Sequence, residues 1–387
     1  MTDTTITRIT YDKVFVPFVH EVTWSGGTRP GTTRLLVRVE TAGGVVGVGE
    51  TICLLEFIEP VLAKTVIPLA VGEDACAVER LARKMEGAGY YHHKRAAVMA
   101  LAAVEMACWD VVGKRANLPL HQLWGGPYRT TIPVAAYVQS DDPAHCAREA
   151  ATAVAAGFGT VKLKVGMGEH LDVELVRAVR EAVGPAVKLR ADANGAWTVG
   201  TAKRTLRKLE PFDLEYLEQP LPLEDLAGHA HLRQLSCVPV ALDESAYTLQ
   251  DVHAIVAAGA ADVVLIDPHE AGGLHAARKQ AAVCEAAGIP VTLHSGGELG
   301  VGTAAYLHLA AVVPNLTLAI DLQYPNVGGD VLAARLPLDG GAMRVPAGPG
   351  LGVEPVAERV AAYRTDRIPN PYLDPARPGW FAVKPAY

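Results

Sequence analysis

The sequence predicts an α/β protein in which a (β/α)8-type barrel, a modified TIM barrel, follows an N-terminal α+β capping domain that the C-terminal segment completes. Three observations lead to this fold class. Eight strand-like runs recur roughly 24 to 28 residues apart, Ala-rich helical stretches lie between them, and polar residues stand at nearly every strand end. Functional residues collect at the C-terminal ends of barrel strands, so the strand-end residues favour a closed barrel. An open doubly wound sheet is the alternative.

The capping domain is predicted over residues 1–125. Alternating apolar and polar residues predict three strands, over residues 6–18, 33–41 and 45–51. The Gly43-Gly44 pair between the last two strands indicates a hairpin. Residues 20–31, between the first two strands, are polar and glycine-rich, which is typical of a loop that closes over a site. Helical patterns follow over residues 60–70, 76–85 and 93–115.

The barrel is predicted over residues 126–325. Its strand-like runs begin at the following residues: Val134, Thr160, Val187, Leu214, Val238, Asp262, Pro290 and Leu316. Ala-rich patterns between them predict helices, among them residues 143–156 and 274–287. Residues 326–387 are rich in glycine and proline and lack a core of their own, so we expect them to pack back on the capping domain.

Composition and charge favour small-molecule chemistry. With 387 residues, 50% hydrophobic and 20% charged, the chain is typical of a globular protein that buries a large core. A net charge of -7 and a pI near 6.0 provide no basic patch, so we expect neither nucleic acid nor an anionic membrane as a partner. A small molecule is therefore the expected partner.

Cysteine usage and the N-terminus predict a cytoplasmic protein. The six cysteines are scattered without a CxxC pair, which indicates reduced thiols and neither a disulfide framework nor a zinc site. The first eight residues are polar and show no signal peptide. No apolar run approaches the ~20 uncharged residues that a membrane-spanning helix requires.

Three consecutive predicted strands end in acidic residues. Asp192, with Asn194 close behind it, follows the third strand, Glu218 the fourth, and the Asp243-Glu244 pair the fifth. Any one of these acids alone could be a helix N-cap or a turn residue. Three hard oxygen ligands at adjacent strand ends instead suit one Mg²⁺. Neighbouring strand residues face opposite ways, so only one of Asp243 and Glu244 can ligate, and Asp243 is preferred.

Two lysines end the second predicted strand. Lys162 and Lys164 are two residues apart, so both side chains point into the barrel mouth. A lysine beside a divalent cation and another ammonium loses proton affinity and becomes a usable base near neutral pH. The alternative is a pair of lysines on a solvated edge strand. A barrel disfavours it, because every strand there is paired and flanked by helices.

The last three predicted strands add two acids and a histidine. Asp267 ends the sixth strand and His294 the seventh, so a carboxylate faces an imidazole, which fixes its tautomer and raises its basicity. A lone histidine is more often structural, but this one lies beside a strand that ends in an acid. Asp321 ends the eighth strand, where it hydrogen-bonds the substrate or caps the next turn.

The chain resembles the enolase superfamily, in its mandelate racemase/muconate lactonizing enzyme family, over nearly its whole length. The resemblance rests on the order of the motifs Lys-x-Lys, Asp-x-Asn-Gly, Glu-Gln-Pro, Asp-Glu-Ser, Asp…Gly-Gly and a strand-end His. It implies one Mg²⁺ per chain, held by Asp192, Glu218 and Asp243. It also implies a homo-oligomer, because capping domains of this family commonly bring neighbouring chains together.

The resemblance also implies roles for the bases. Lys164 would be the base on one face of the substrate, assisted by Lys162, and Asp267 with His294 would form the dyad on the opposite face. Muconate-lactonizing and succinylbenzoate-synthase-like members have a lysine on the sixth strand, where this chain has Asp267. The chain is therefore most similar to the mandelate racemase-like and glucarate dehydratase-like branch, which Asp321 also matches.

This resemblance implies Mg²⁺-dependent removal of the proton α to a carboxylate, through an enediolate. We expect dehydration of a sugar acid, glucarate-like, to a keto-deoxy acid, with Trp24, Arg29, Leu55 and Asn194 binding the substrate. Racemisation or epimerisation of a 2-substituted acid is the main alternative, and the apolar character of Trp24 and Leu55 favours it. A cycloisomerase and a non-catalytic, metal-stabilised barrel are further alternatives.

Overall fold

The capping domain begins with a three-stranded antiparallel sheet in the computed structural model, which describes residues 2–369 and, within them, only the backbone of residues 89–93. The strands are β1 Ile6–Trp24, β2 Gly27–Thr41 and β3 Val46–Ile52, in the order β1-β2-β3. The prediction of a loop over residues 20–31 is wrong, because β1 and β2 continue through this segment as a hairpin in which Trp24 pairs with Gly27. The register of the pairing shifts between Pro17 and Val22, which accommodates residues of β1 that have no partner in β2. Pairing on both sides of the shift still satisfies the backbone hydrogen-bonding groups of the hairpin.

One long helix organises the capping domain. Two short helices, α1 Ile58–Val61 and α2 Ile67–Ala70, flank a π-helical turn, and α3 Val78–Ala116 then runs for 39 residues, joining two predicted helices. Its segment Lys94–Ala116 is long and apolar enough to cross a bilayer, but 83% of its most apolar window is buried inside the protein. The segment is therefore the core helix of the capping domain.

The barrel forms from eight parallel strands, as predicted. They are β4 Thr131–Val138, β5 Thr160–Lys164, β6 Lys188–Asp192, β7 Tyr216–Glu218, β8 Val240–Leu242, β9 Val263–Ile266, β10 Val291–Leu293 and β11 Ile320–Asp321. Neighbours pair in sequence order from β4 to β10, and β11 pairs with β4. A parallel bridge from Val291 to Leu316 joins the last two strands, so the barrel is closed.

Helices surround the barrel and connect its strands. The short α4 Leu120–Leu123 precedes the barrel; the connecting helices are α5 Pro143–Ala155, α6 Glu169–Val183, α7 Val199–Leu209, α8 Leu226–Leu235, α9 Leu249–Ala258, α10 Pro268–Ala271, α11 Leu274–Ala286 and α12 Gly300–Val312. A single 3-10 turn, Tyr324–Asn326, follows β11 where an eighth outer helix would stand. The eighth strand therefore leads directly into the C-terminal segment.

The C-terminal segment contacts both domains. Its hairpin, β12 Leu338–Asp339 and β13 Ala342–Arg344, adds antiparallel to the start of β4, and α13 Ala357–Tyr363 lies against β1. Gly350 forms a bridge with Pro119 at the end of the capping domain. The rest of the segment predicted to pack back, residues 370–387, lies outside the described residues.

Two buried acids of the capping domain cap helices of the barrel. Glu105 of α3 accepts backbone N–H bonds from Leu274 and His275, both 2.8 Å, at the start of α11. Glu50 of β3 accepts from the backbone of Leu299 at 2.8 Å and Gly302 at 2.7 Å, at the start of α12. Each carboxyl group satisfies backbone donors at the start of a helix that would otherwise have no partner.

We expect Gly49→Ala to lower the free energy of unfolding by about 1–3 kcal/mol, the usual effect of overpacking. A Cβ at Gly49 would stand 2.0 Å from the backbone oxygen of Ala103, so α3 would have to move off β3. Gly87→Ala, on α3, is the control and should be neutral or stabilising, because no atom of the described side chains or backbone lies within 4 Å of its added Cβ. Urea denaturation measures both; equal stabilities would contradict the close approach.

Glu105 should make stability fall with rising pH. Burial raises its pKa from 4.5 to about 7, so its contribution is complete below pH 4.5 and is lost as the pH rises through 7. The unfolding free energy of the native chain, relative to Glu105→Gln, should therefore decrease over this window by about 1.4 kcal/mol per unit of pKa difference. Urea denaturation across pH tests this, with Glu285→Gln on the exposed face of α11 as control; a pH-independent difference would refute it.

Candidate active site

A cleft of about 840 Å³ opens at the C-terminal ends of the barrel strands, beneath the capping domain. The β1–β2 hairpin closes one side, where Ser25 donates a hydrogen bond to the backbone oxygen of Ala193 at 3.1 Å. The predicted site residues that line the cleft are Trp24, Arg29, Leu55, Lys164, Asn194 and His294. The capping domain and the barrel therefore share one site.

The predicted base Lys164 faces this cleft. Its ammonium forms a short ion pair with Asp192 and donates to Asn194 Oδ1 at 3.0 Å. Asn194 has a left-handed backbone, φ 46°, and its N–H donates to Asp192 Oδ1 at 2.8 Å. The turn after β6 thus places the amide and the carboxylate on either side of the lysine.

Lys162 lies one layer deeper and is fully buried. Its Nζ contacts Glu218 Oε1 at 2.6 Å, Asp321 Oδ2 at 2.5 Å and Asp192 Oδ2 at 3.5 Å. Burial alone would lower the pKa of Lys162, but the surrounding carboxylates of Asp321 and Glu218 raise it well above its usual value. Lys162 therefore stays an ammonium that holds the acids together.

The structure places Asp321 below the cleft. It is fully buried, Oδ2 accepts from Lys162, and Oδ1 accepts from Arg190 at 2.9 Å. Both oxygens therefore pair with buried cations, and Asp321 is not among the residues that line the cleft. Arg190, which the sequence analysis missed, also pairs with Glu215 Oε2 at 2.6 Å. It precedes Asp192 by two residues, so strand alternation alone would have placed it inside the barrel.

The predicted metal ligands fit a divalent cation. Three buried oxygens have no hydrogen-bond partner within the described part of the chain, namely Glu218 Oε2 and both carboxylate oxygens of Asp243. Burial and the charge of Asp192 raise the pKa of Glu218, and burial, offset in part by His294, raises that of Asp243 to about 8. A cation bound here would offset this crowding of negative charge.

Of the two neighbouring acids that follow strand β8, Asp243 is the better candidate for the third metal ligand. Glu244 lines the cleft, and its Oε1 already accepts from Asn194 Nδ2 at 2.8 Å. The Asp243 backbone is held by Gln219 Oε1 at 3.1 Å, which aims its side chain into the barrel. Asp243 is 2% exposed, so its oxygens have no solvent to satisfy them.

The predicted dyad is assembled. His294 Nδ1 lies 2.9 Å from Asp267 Oδ2, while Asp267 Oδ1 accepts from the backbone of His269 at 2.7 Å and from the hydroxyl of Tyr306. Burial would lower the pKa of His294, but Asp243 and Asp267 raise it well above its ordinary value. Asp267 therefore fixes the imidazole with Nε2 directed away from it. Tyr306 lies in the middle of helix α12, and no sequence motif marks it.

The capping domain reaches the dyad through His269. Arg34 Nη2 of β2 lies 2.6 Å from His269 Nε2, and Arg34 Nε pairs with Glu50 at 2.7 Å. Burial and the Arg34 charge lower the pKa of His269 to about 3, so its neutral ring accepts the bond. Arg34 thus fixes the segment that carries Asp267.

A second grouping of ligand atoms overlaps the predicted one. Asp243, Glu270 and His294 each offer an atom, and these atoms lie within 4.8 Å of one another. Glu270, absent from the predicted site, lines the cleft and hydrogen-bonds Tyr247. In the sequence, the only feature that marks Glu270 is its position three residues after Asp267, which follows a strand. For Mg²⁺, the all-oxygen set of Asp192, Glu218 and Asp243 is the better match.

Three of the four predicted substrate-binding residues, Trp24, Arg29 and Leu55, belong to the wall formed by the capping domain, whereas Asn194 follows barrel strand β6. Arg29 is 7% exposed; its guanidinium lies 5.4 Å from the Phe18 ring and 5.6 Å from the Trp24 ring, and donates to Gln323 Oε1 at 3.3 Å. Leu55 belongs to an apolar stretch of the same wall. Arg29 is thus held in place at the cleft.

Two family matches cover most of the chain. Residues 7–125 match the mandelate racemase/muconate lactonizing enzyme N-terminal domain, and residues 145–359 match the enolase C-terminal domain-like family. The chain belongs to the enolase superfamily, in the mandelate racemase/muconate lactonizing enzyme family. This membership confirms the predicted fold class, and the chain is an enzyme of the enolase superfamily.

Relatives within the family differ in activity. A probable glucarate dehydratase of Streptomyces coelicolor is 35% identical, over 93% of this chain and 91% of its own length. The crystal structure of N-succinyl Arg/Lys racemase from Bacillus cereus aligns with a TM-score of 0.88 at 29% identity, over 93% of this chain and 98% of that one. An enolase from Thermobispora bispora, complexed with magnesium and formate, aligns with a TM-score of 0.84 at 31% identity, over 93% and 92%. Dehydratases and racemases are thus both close to this chain.

We expect Glu218→Gln and Asp243→Asn each to weaken Mg²⁺ binding by at least about 10–100-fold, because each removes a charge from the ligand set. Glu244→Gln, which keeps an acceptor for Asn194, is the matched control and should bind Mg²⁺ as the native chain does. Calorimetric titration measures affinity, and far-UV circular dichroism checks the fold. Loss in Glu244→Gln with retention in Asp243→Asn would make Glu244 the third ligand.

Proposed function

We propose that this enzyme dehydrates a sugar acid, glucarate-like, to a keto-deoxy acid. The supporting observation is the placement of two proton-transfer groups around the barrel. Lys164 ends the second barrel strand and His294 follows the seventh, while the acids Asp192, Glu218 and Asp243 occupy strands three to five on the arc between them. A substrate whose carboxylate lies beside these three acids would present one face of its α-carbon to Lys164 and the opposite face to His294.

The reaction requires one group to accept a proton and the other to donate one. Lys164, as the free amine, removes the α-proton, and the electron pair of that C–H bond forms the new C=C bond. His294 Nε2 donates a proton to the β-hydroxyl, which leaves as water, and the enol product tautomerises to the 2-keto acid. Bound Mg²⁺ would supply positive charge that offsets the charge of the deprotonated substrate.

The chain's other residues keep these two groups in position. Asp267 holds Nδ1 of His294 and so leaves Nε2 for the substrate. Asn194 and Asp192 flank the Lys164 ammonium. Lys162 stays charged beneath them and keeps the acid cluster compact.

An apolar wall supports racemisation or epimerisation of a 2-substituted acid as a second candidate. The side of the cleft formed by the capping domain contains Leu54, Leu55, Phe57 and Met99, which suit an apolar substituent better than a polyol chain. In this reaction the group opposite the base returns a proton to the α-carbon, and no bond to a leaving group breaks.

We propose a reducing, cytoplasmic location for the enzyme. All six cysteines are free, and four of them, Cys53, Cys108, Cys146 and Cys284, are buried in the protein core. Thiols that persist unpaired are typical of a reducing compartment.

Substitution of either base should stop α-proton exchange from one configuration of the substrate only. Lys164→Ala and His294→Asn should each reduce exchange by about 10²–10⁴-fold for one configuration and spare the other, because the remaining base still acts. Asp267→Asn should reduce exchange from the same configuration as His294→Asn, but by a smaller factor. Exchange is followed by NMR in D₂O, with and without EDTA, after a sugar-acid and hydroxy-acid panel has been screened for keto product.

The panel distinguishes the two candidate functions. Keto product from a hydroxy acid supports dehydration, whereas deuterium incorporation with inversion and no keto product supports racemisation. Loss of exchange from the same configuration in Lys164→Ala and His294→Asn would refute the two-face arrangement. The two groups would then act in series on one side of the substrate.

A further inference from the structure

The end of the barrel between strands β8 and β10 brings together a second set of metal-binding atoms. Asp243 follows β8, Glu270 lies in the short helix after β9, and His294 follows β10. Their ligand atoms lie within 4.8 Å of one another, and His294 Nε2 is 3.5 Å from Asp243 Oδ2. This set shares only Asp243 with the acids expected to hold Mg²⁺.

Burial of the two carboxylates indicates that a cation belongs here. The Asp243 side chain is 1% exposed, faces the His294 ring, and neither of its oxygens has a hydrogen-bond partner among the described residues. Glu270 is 8% exposed, so its carboxylate is also largely removed from water, and Tyr247 fixes it. Two buried carboxylates and an imidazole edge therefore converge on one point.

The surroundings of His294 match a metal-bound histidine. Its Nδ1 lies 2.9 Å from Asp267 Oδ2, so the ring donates that N–H to Asp267, and Nε2 is the nitrogen that a cation would bind in place of its proton. Histidine ligands of metal ions almost always donate their other N–H to such a carboxylate or carbonyl, which orients the ring and raises its basicity.

We propose that Asp243, Glu270 and His294 form a second cation site that takes a transition-metal ion such as Zn²⁺. Catalytic zinc sites have three protein ligands and a fourth position open to water or substrate, and both imidazole and carboxylate groups bind Zn²⁺. Asp243, Glu270 and His294 provide three such groups beside the cleft. Imidazole suits Zn²⁺, Co²⁺ and Ni²⁺, whereas Mg²⁺ selects oxygen ligands. Asp243 belongs to both candidate ligand sets.

Occupation of the second site would inhibit the enzyme. The cation takes the Nε2 lone pair of His294, so the imidazole can neither accept nor donate a proton while the ion is bound. This consequence rests on the proposed function of His294, whereas binding of the ion does not. Turnover should therefore fall as Zn²⁺ is added in the presence of saturating Mg²⁺.

The test is calorimetric titration of the Mg²⁺-saturated chain with Zn²⁺, supported by Co²⁺ absorption spectra. We expect one further ion per chain, with affinity reduced at least about 10–100-fold in Glu270→Gln and by a similar factor in Asp267→Asn, which loses only the outer contact. Glu224→Gln, a cleft acid outside the set, is the matched control and should bind Zn²⁺ as the native chain does. His294→Asn should also lose the intense visible Co²⁺ bands.

Several outcomes would overturn the second site. Equal Zn²⁺ affinity in Glu270→Gln and the native chain would exclude Glu270 as a ligand, and complete displacement of Zn²⁺ by Mg²⁺ would indicate a single shared site. Retained Mg²⁺ affinity in Glu270→Gln shows that this variant is folded. If Glu270→Gln does not fold, the Zn²⁺ affinity of Asp267→Asn tests the site independently. Zn²⁺ binding without inhibition would leave the site in place and count against His294 as a proton-transfer group.

Discussion

Pairing of buried charges inside the barrel is the constraint on which the site depends. Charges of alternating sign run along the barrel interior from Glu215 through Arg190, Asp321 and Lys162 to Glu218, with each neighbouring pair between 2.5 and 2.9 Å apart. An uncompensated buried charge costs several kcal/mol, so no member of this column is stable alone. Because Arg190 and Lys162 offset part of the negative charge, the strand ends can carry acids whose remaining oxygens are available to a metal ion.

The capping domain fixes the other half of the site. Helices α11 and α12 follow the strands that end in Asp267 and His294, and each begins on a carboxylate from the capping domain, Glu105 or Glu50. Arg34 adds a contact to His269, whose N–H holds Asp267. The geometry of the dyad is therefore set by side chains far from it in sequence, and the capping domain does more than cover the cleft.

Periodicity and strand-end chemistry predicted the barrel and most of the residues now found around its mouth. Alternation placed Lys162 and Lys164 inside, and the same rule applied to β6 would have found Arg190. What the sequence could not reveal depended on distant partners: strand pairing continues through residues 20–31, and the hydrogen bonds of Asp321 depend on Arg190 and Lys162. Glu105 and Tyr306 lie on helices whose residue patterns do not reveal what they bind across the molecule.

The helix-capping acids have a consequence for recombination between relatives. A barrel separated from its capping domain would expose the first backbone donors of α11 and α12 without Glu105 and Glu50, and the Arg34 contact to His269 would be lost. A chimera that takes its cap from a relative to gain a new cleft wall must therefore carry acids at these two positions and a cation at the third. Substrate range and catalytic geometry are inherited together in this architecture, because the same domain supplies both.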